Sequence, residues 1–416
     1  MSSHGVARTA RHRTEKQRDE AIKDIRAYRS LENQIRSKLS HSAADQQFDR
    51  NTFELSTQLL QRNPEYYTIW NVRRRCLALT ILSTSSESEG NGSWTTSCSI
   101  NWSDDGCILQ HELDFITALI KEHPKCYWIW KYRLWILNQA TARLPIEAAR
   151  SVWENELALI SKILHRDRRN FHAWGFRRHA IAQLESAALK GKSMVESEFE
   201  YTTKSIRLDL SNFSAWHNRS QLIPRLLRER KSGNEARKIF LEAELDVVRD
   251  ALNVGPDDQS LWYYHKYLIF NLVGLNNDQT IAPQLSVADR KLYLLTEIGN
   301  IRELAEDYAG IKWIWEALVD YTITVTELED KPMKTQERTD LVYWLEMLRI
   351  LDPHAHAGAS LPYDAKPFGD NNEAWKSCSG VAAGLVDACV NPNCYVAGGE
   401  RGQSSPGFGE FKPFSN

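Results

Sequence analysis

A tryptophan followed three residues later by an arginine recurs four times between residues 70 and 219 of this chain, and no other feature limits its possible folds as sharply. The pairs are Trp70/Arg73, Trp130/Arg133, Trp174/Arg177 and Trp216/Arg219, each with an aromatic three residues earlier: Tyr67, Tyr127, Phe171 and Phe213. A looser fifth copy, Trp262/His265, carries Gln259 in the aromatic slot. Successive tryptophans from Trp130 onward stand 44, 42 and 46 residues apart, the period of stacked helical hairpins. The first interval, 60 residues, is longer and must hold an insertion. A spacing of three places Trp and Arg on one helix face, and the same spacing expects the aromatic there too, one turn earlier.

The helix boundaries follow from local chemistry. Residues 14–39 form a long amphipathic helix with an apolar stripe of Ile22, Ile25, Tyr28, Leu31, Ile35 and Leu39, and Thr14 is a plausible cap. Each later pair has a first helix that stops at a short polar turn and a second that opens on the aromatic-x-x-Trp-x-x-Arg face. The stops fall at Asn63-Pro64, His123-Pro124, Asp167-Arg168, Asp209-Leu210 and Gly255-Pro256. Proline enforces three of them, because its ring clashes with the preceding turn and it offers no N–H. A further hairpin is expected near 286–328, where KWIWEAL (Lys312–Leu318) imitates the repeat, and a last helix over about 335–350. No segment alternates as a strand does. The expected architecture is all-α, a right-handed superhelical solenoid of antiparallel helix pairs over 14–353. A basic arm (1–13) precedes it, a Ser/Gly/Thr-rich loop insertion interrupts it at about 83–107, and a Gly/Pro/Ser/Asn-rich tail (354–416) without helical period reads as disordered.

Composition narrows the function classes. A formal net charge of -2 argues against a nucleic-acid binder, which needs a clustered basic surface. No apolar run reaches the roughly 18–20 residues of a membrane span. The start lacks the apolar core of a secretory signal; Arg-rich and acid-poor up to Glu15, it reads as a flexible arm, with a mitochondrial presequence as the alternative. The chain is expected to be cytoplasmic. Its seven cysteines form no CxxC pair and have no His at ligand spacing, so neither a zinc site nor a disulfide framework is indicated.

On the repeat face the tryptophans (Trp70, Trp130, Trp174, Trp216 and Trp262) read as core. Four guanidinium groups near a core need carboxylate or carbonyl partners, and the simplest reading has Arg73, Arg133, Arg177 and Arg219 linking adjacent repeats by hydrogen bonds. The position five before each Trp lies at the mouth of the second helix and holds Glu65, Lys125, Arg169, Ser211 and Asp257. Lys125 and Arg169 stand at equivalent places in consecutive repeats, beside positive helix N-termini. His172 lies two before Trp174. Together they could form a phosphate or diphosphate site, or merely a solvated basic rim.

The five copies YYTIWNVRR, CYWIWKYRL, NFHAWGFRR, NFSAWHNRS and DQSLWYYHK resemble the repeats of protein prenyltransferase alpha subunits, in order, over about 14–353. HPKCYWIWKYRLWIL, EFEYTTKSI and DDQSLWYYHKYL are similar to the Rab geranylgeranyltransferase (type II) branch, in a short fungal-type form. That resemblance implies a subunit wrapped around a beta subunit, which carries the catalytic zinc and most of the lipid pocket. It implies transfer of geranylgeranyl from geranylgeranyl diphosphate to C-terminal cysteines of Rab GTPases that arrive on a Rab escort protein. Lys125 in HPKCY takes the position of a family lysine that reaches the isoprenoid diphosphate. Phe171-His172 matches a Tyr-His pair near the same group, without the tyrosine hydroxyl. Cys126 stands where the family has asparagine, and HAHAGAS after Leu351-Asp352-Pro353 departs from the family's basic ending. Two alternatives remain open: the alpha subunit shared by farnesyltransferase and geranylgeranyltransferase type I, acting on CaaX proteins, and a non-catalytic helical-repeat scaffold.

Overall fold

The computed structural model describes residues 14–39, 48–82, 104–273, 280–329 and 332–353. The arm over 1–13, most of the insertion and the tail from 354 lie outside the described residues. The chain divides into two units, Met1–Leu351 and Asp352–Asn416, and every helix described belongs to the first.

Fourteen α-helices and no strand occur among the described residues. Helix α1 (Glu15–Leu39) precedes six pairs: α2 (Arg50–Arg62) with α3 (Tyr67–Cys76), α4 (Asp104–Glu122) with α5 (Tyr127–Arg143), and α6 (Ile146–Arg166) with α7 (Phe171–Glu185). Then come α8 (Val195–Leu208) with α9 (Phe213–Glu229), α10 (Asn234–Val254) with α11 (Gln259–Val273), and α12 (Val287–Asp307) with α13 (Lys312–Glu329). Helix α14 (Thr335–Leu351) packs on α13. Partners within a pair pack together, and second helices touch across pairs: α3 with α5, α5 with α7, α9 with α11, α11 with α13. This is the expected all-α solenoid. One element has no counterpart in the sequence pattern: α3 loosens into a π-helical turn over Leu77–Ile81 just before the insertion.

The turn inside every pair is built the same way. The N–H four residues before the tryptophan donates to the carbonyl seven before it, as in Tyr66 to Asn63, Cys126 to His123, Asn170 to Asp167, Asn212 to Asp209, Asp258 to Gly255 and Ile311 to Tyr308. The indole Nε1–H then donates to the carbonyl six before it. Trp70 reaches Pro64 at 2.8 Å, Trp130 Pro124 at 2.9 Å, Trp174 Arg168 at 2.8 Å, Trp216 Leu210 at 2.7 Å and Trp262 Pro256 at 2.7 Å. Trp315 does the same to Ala309 at 2.9 Å, which makes α12–α13 a sixth copy. All six rings are buried. Tryptophan suits this position because one end of the ring fills the core while the other satisfies a carbonyl that the helix start cannot reach.

Candidate functional site: the inter-repeat ladder and the mouths of the second helices

Each buried arginine is a joint between repeats. Arg73 Nε and Nη2 grip Glu112 of α4 at 2.8 and 2.5 Å; Arg133 holds Glu156 of α6 at 2.7 and 2.5 Å. Arg177 holds Glu198 of α8 at 2.8 and 2.5 Å, and Arg219 holds Glu244 of α10 at 2.8 and 2.6 Å. The remaining Nη1 turns back to the first helix of its own pair, to Thr57, Thr117, Ser161 and Thr203. Every one of these guanidinium groups therefore clamps its own pair to the next. Burial disfavours the charged form of Arg73, yet the Glu112 carboxylate outweighs this and holds its pKa above the ordinary value. In the fifth pair His265 stands in for arginine, with Nε2 2.9 Å from Glu297 of α12 and Nδ1 2.7 Å from the Tyr321 hydroxyl. The ladder is closed at both ends: Thr52 and Leu318, fully buried, fill the slots where an unmatched glutamate and an unmatched arginine would otherwise stand.

The aromatics three before each tryptophan behave otherwise than their spacing suggests. Tyr67, Tyr127, Phe171 and Phe213 are 54%, 48%, 62% and 45% exposed, against near-complete burial of the tryptophans. Each is the first residue of its helix, so it sits at the mouth, beyond the reach of the first helix that covers the next turn. The exposed rings approach aromatic rings of the next repeat. Tyr67 lies 5.3 Å from Trp128, Tyr127 6.2 Å from His172, and Phe213 6.2 Å from Tyr263.

Lys125 and His172 come together at this rim. The His172 ring lies nearly parallel to buried Trp130, 6.3 Å between centroids, and 4.0 Å from Phe171. Burial lowers its pKa, the nearby Lys125 backbone offsetting this only in part, so that the neutral imidazole is favoured. The Lys125 ammonium is 75% exposed and 4.0 Å from Asp167. Arg169 is engaged elsewhere, in a bidentate pair with Asp209 at 3.1 and 3.2 Å. Asn170 and Asn212 cap α7 and α9 by accepting from Ala173 and Ala215, and each also donates back to the preceding turn, at Pro124 and Arg168. Cys126 keeps the backward contact, its Sγ 3.5 Å from the Pro64 carbonyl, but makes no capping bond. The α5 N-terminus beside Lys125 thus lacks a side-chain cap, and its first amides point to the rim.

The protein prenyltransferase alpha subunit repeat model matches 49–80, 109–140, 153–184, 195–226 and 241–272. A geranylgeranyl transferase type-2 alpha subunit from Dictyostelium discoideum is 31% identical over 84% of this chain and 96% of its own length. The chain belongs to the protein prenyltransferase alpha subunit family. Type-2 alpha subunits from Schizosaccharomyces pombe (33% identical over 79% of this chain and 88% of that protein) and Saccharomyces cerevisiae (34% over 52% and 57%) are also similar. The chain thus spans little more than half the length of the Saccharomyces relative.

The alpha-subunit repeats matched cover the first five pairs; the sixth shares their turn and tryptophan but has no ladder arginine. The ladder glutamates are not evident from the tryptophan–arginine motif, although a signal for them exists. Glu112, Glu156, Glu198, Glu244 and Glu297 each stand 18 residues before the tryptophan of their own pair. Among the described residues no group of three or more His, Cys, Asp or Glu could hold a metal, so the described part of this alpha subunit offers no donor set for zinc. Nor is any described helix long and apolar enough to cross a membrane.

Proposed function

We propose that this chain is the alpha subunit of a heterodimeric Rab geranylgeranyltransferase, working with a zinc-bearing beta subunit in the cytoplasm. Its substrates are geranylgeranyl diphosphate and Rab GTPases presented by an escort protein. The observation that carries this reading is the likeness to the Dictyostelium type-2 subunit along nearly all of that protein's length. The reaction forms a carbon–sulfur bond at the isoprenoid C1 as diphosphate departs. Charge develops on the leaving group, and preorganised cations and helix amides stabilise it. Lys125, exposed at the mouth of uncapped α5, supplies such a cation, with His172 packed beside it. Arg169 adds positive potential from the next rung while staying bound to Asp209.

The test is co-expression with a type-2 beta subunit and assay of geranylgeranyl transfer to a Rab with escort. Lys125→Ala is expected to leave the heterodimer intact and slow transfer roughly tenfold to a hundredfold, about 1–3 kcal/mol for removing one cation from a partly solvated anion site. Wild-type turnover by Lys125→Ala at saturating lipid would make Lys125 part of a basic rim and nothing more. Escort-independent transfer to a CaaX protein, with none to Rab, would replace this reading with the farnesyltransferase-type alternative.

A further inference from the structure

The two rungs at the rim share one register and differ in tightness. In each, the residue five before one tryptophan faces an aspartate seven before the next: Lys125 with Asp167, Arg169 with Asp209. Arginine, a planar fork, closes its rung with two hydrogen bonds. Lysine leaves its rung at 4.0 Å, beyond hydrogen-bond distance, with the ammonium mostly in solvent. The next repeat has no such rung: Ser211 bonds Asp258, which stands four rather than seven before Trp262.

The backbone at both ends of the Lys125 contact is held in place. His172 lies beside the Lys125 backbone and is itself stacked beside buried Trp130. Asp167 ends α6, and its carbonyl accepts from Asn170 in the regular turn. The side chain of Lys125 can therefore swing while its own backbone and that of Asp167 stay in place. We propose that Asp167 is a positioning residue, a weak restraint that holds the Lys125 ammonium near the α5 mouth and competes with diphosphate for it. A diphosphate carries more negative charge than one carboxylate and wins that competition when bound; when product leaves, Asp167 takes the lysine back. The inference rests on the reading of Lys125 given above.

The experiment is product inhibition of the assembled heterodimer by inorganic diphosphate, in wild type, Asp167→Asn, Lys125→Ala and the double variant. Removing the restraint is expected to tighten inhibition about two- to fivefold, the scale of an exposed ion pair. Lys125→Ala should weaken inhibition, and the double variant should match Lys125→Ala, because Asp167 then has nothing to act through. Asp167→Ser, expected to repeat the result, guards against a side effect of asparagine, and gel filtration confirms assembly. Unchanged inhibition in Asp167→Asn, with Lys125→Ala still weakened, would end the restraint and leave the Lys125 role standing. Equal tightening in the Lys125→Ala background would also end it, since the carboxylate would then act only through its field. Failure of Lys125→Ala to change either rate or inhibition would overturn the reading of Lys125, and the restraint with it, while leaving the transferase reading to the Rab assay.

Discussion

Arg133 and Glu156 are both buried, and each satisfies the other through two hydrogen bonds. Removing one partner strands the other's charge in a low-dielectric interior, so Arg133→Met is expected to destabilise by about 3–5 kcal/mol. Replacing both, as Arg133→Met with Glu156→Leu, should restore much of that stability, because two apolar side chains leave no charge behind. Urea unfolding of the three variants checks this; a double variant as unstable as the single one would mean that packing rather than charge dominates the joint. At this scale the sequence is half legible. The arginines announce themselves beside each tryptophan, and their need for carboxylates follows from burial. Which carboxylates serve is harder to read, because each lies on the first helix of the next pair and only the tryptophan of that pair fixes its register.

Helix ends are the most readable elements, since Pro64, Pro124 and Pro256 leave little choice of stopping point. The aromatic rim departs from its expected place on the buried face because helix periodicity says which direction a residue points, not whether a neighbouring helix extends far enough to cover it. The π-helical turn after α3 carries no signature in LALTI that separates it from an ordinary helix. Capping adds a measurable effect at α2, where Asp49 accepts from the Thr52 amide and hydroxyl at 2.7 Å and pairs with Lys38 at 3.0 Å. Burial by itself would raise the Asp49 carboxyl, but these bonds together pull it down to about 2. A carboxyl depressed on folding contributes stability that is full above its unfolded value near 3.8 and is lost as pH falls toward 2. Asp49→Ala is expected to cost about 0.5–2 kcal/mol at pH 7, and the deficit should shrink below pH 3. Thermal melts across that range decide; a deficit independent of pH would assign the cap to geometry rather than charge.

Across the described repeats, the row of exposed rings at the helix mouths departs from an ordinary soluble surface. Tyr67, Tyr127, Phe171, Phe213 and Tyr263 with half-buried Trp128 and Trp313 offer apolar area at regular intervals, the kind of surface a partner subunit covers. The chain expressed alone is therefore expected to bind a hydrophobic dye, to self-associate, and to show no prenyl transfer to a Rab. Transfer activity from the isolated chain would remove the need for a beta subunit. The overall helical plan is legible because the repeat is long, regular and anchored by tryptophan. Of the candidate site, the sequence marks Lys125 and His172, which the fold brings to one rim; that Arg169 is tied to Asp209 depends on a turn-to-turn distance no spacing reveals.

The ladder also has a direction. Every cation lies on the second helix of one pair and every glutamate on the first helix of the pair that follows. A ribosome makes each arginine before its partner, so after each of the first four pairs the newest finished pair ends in a guanidinium still awaiting its carboxylate. A transcript cut short between pairs would release a chain with one unmatched arginine, whereas a start delayed to α4 would leave an unmatched glutamate. Only the natural first and last pairs, with Thr52 and Leu318 in those slots, leave no charge over. The number of repeats is thus written into the residues at the two ends, and inserting or deleting a pair at either end would cost more than the same change in the middle.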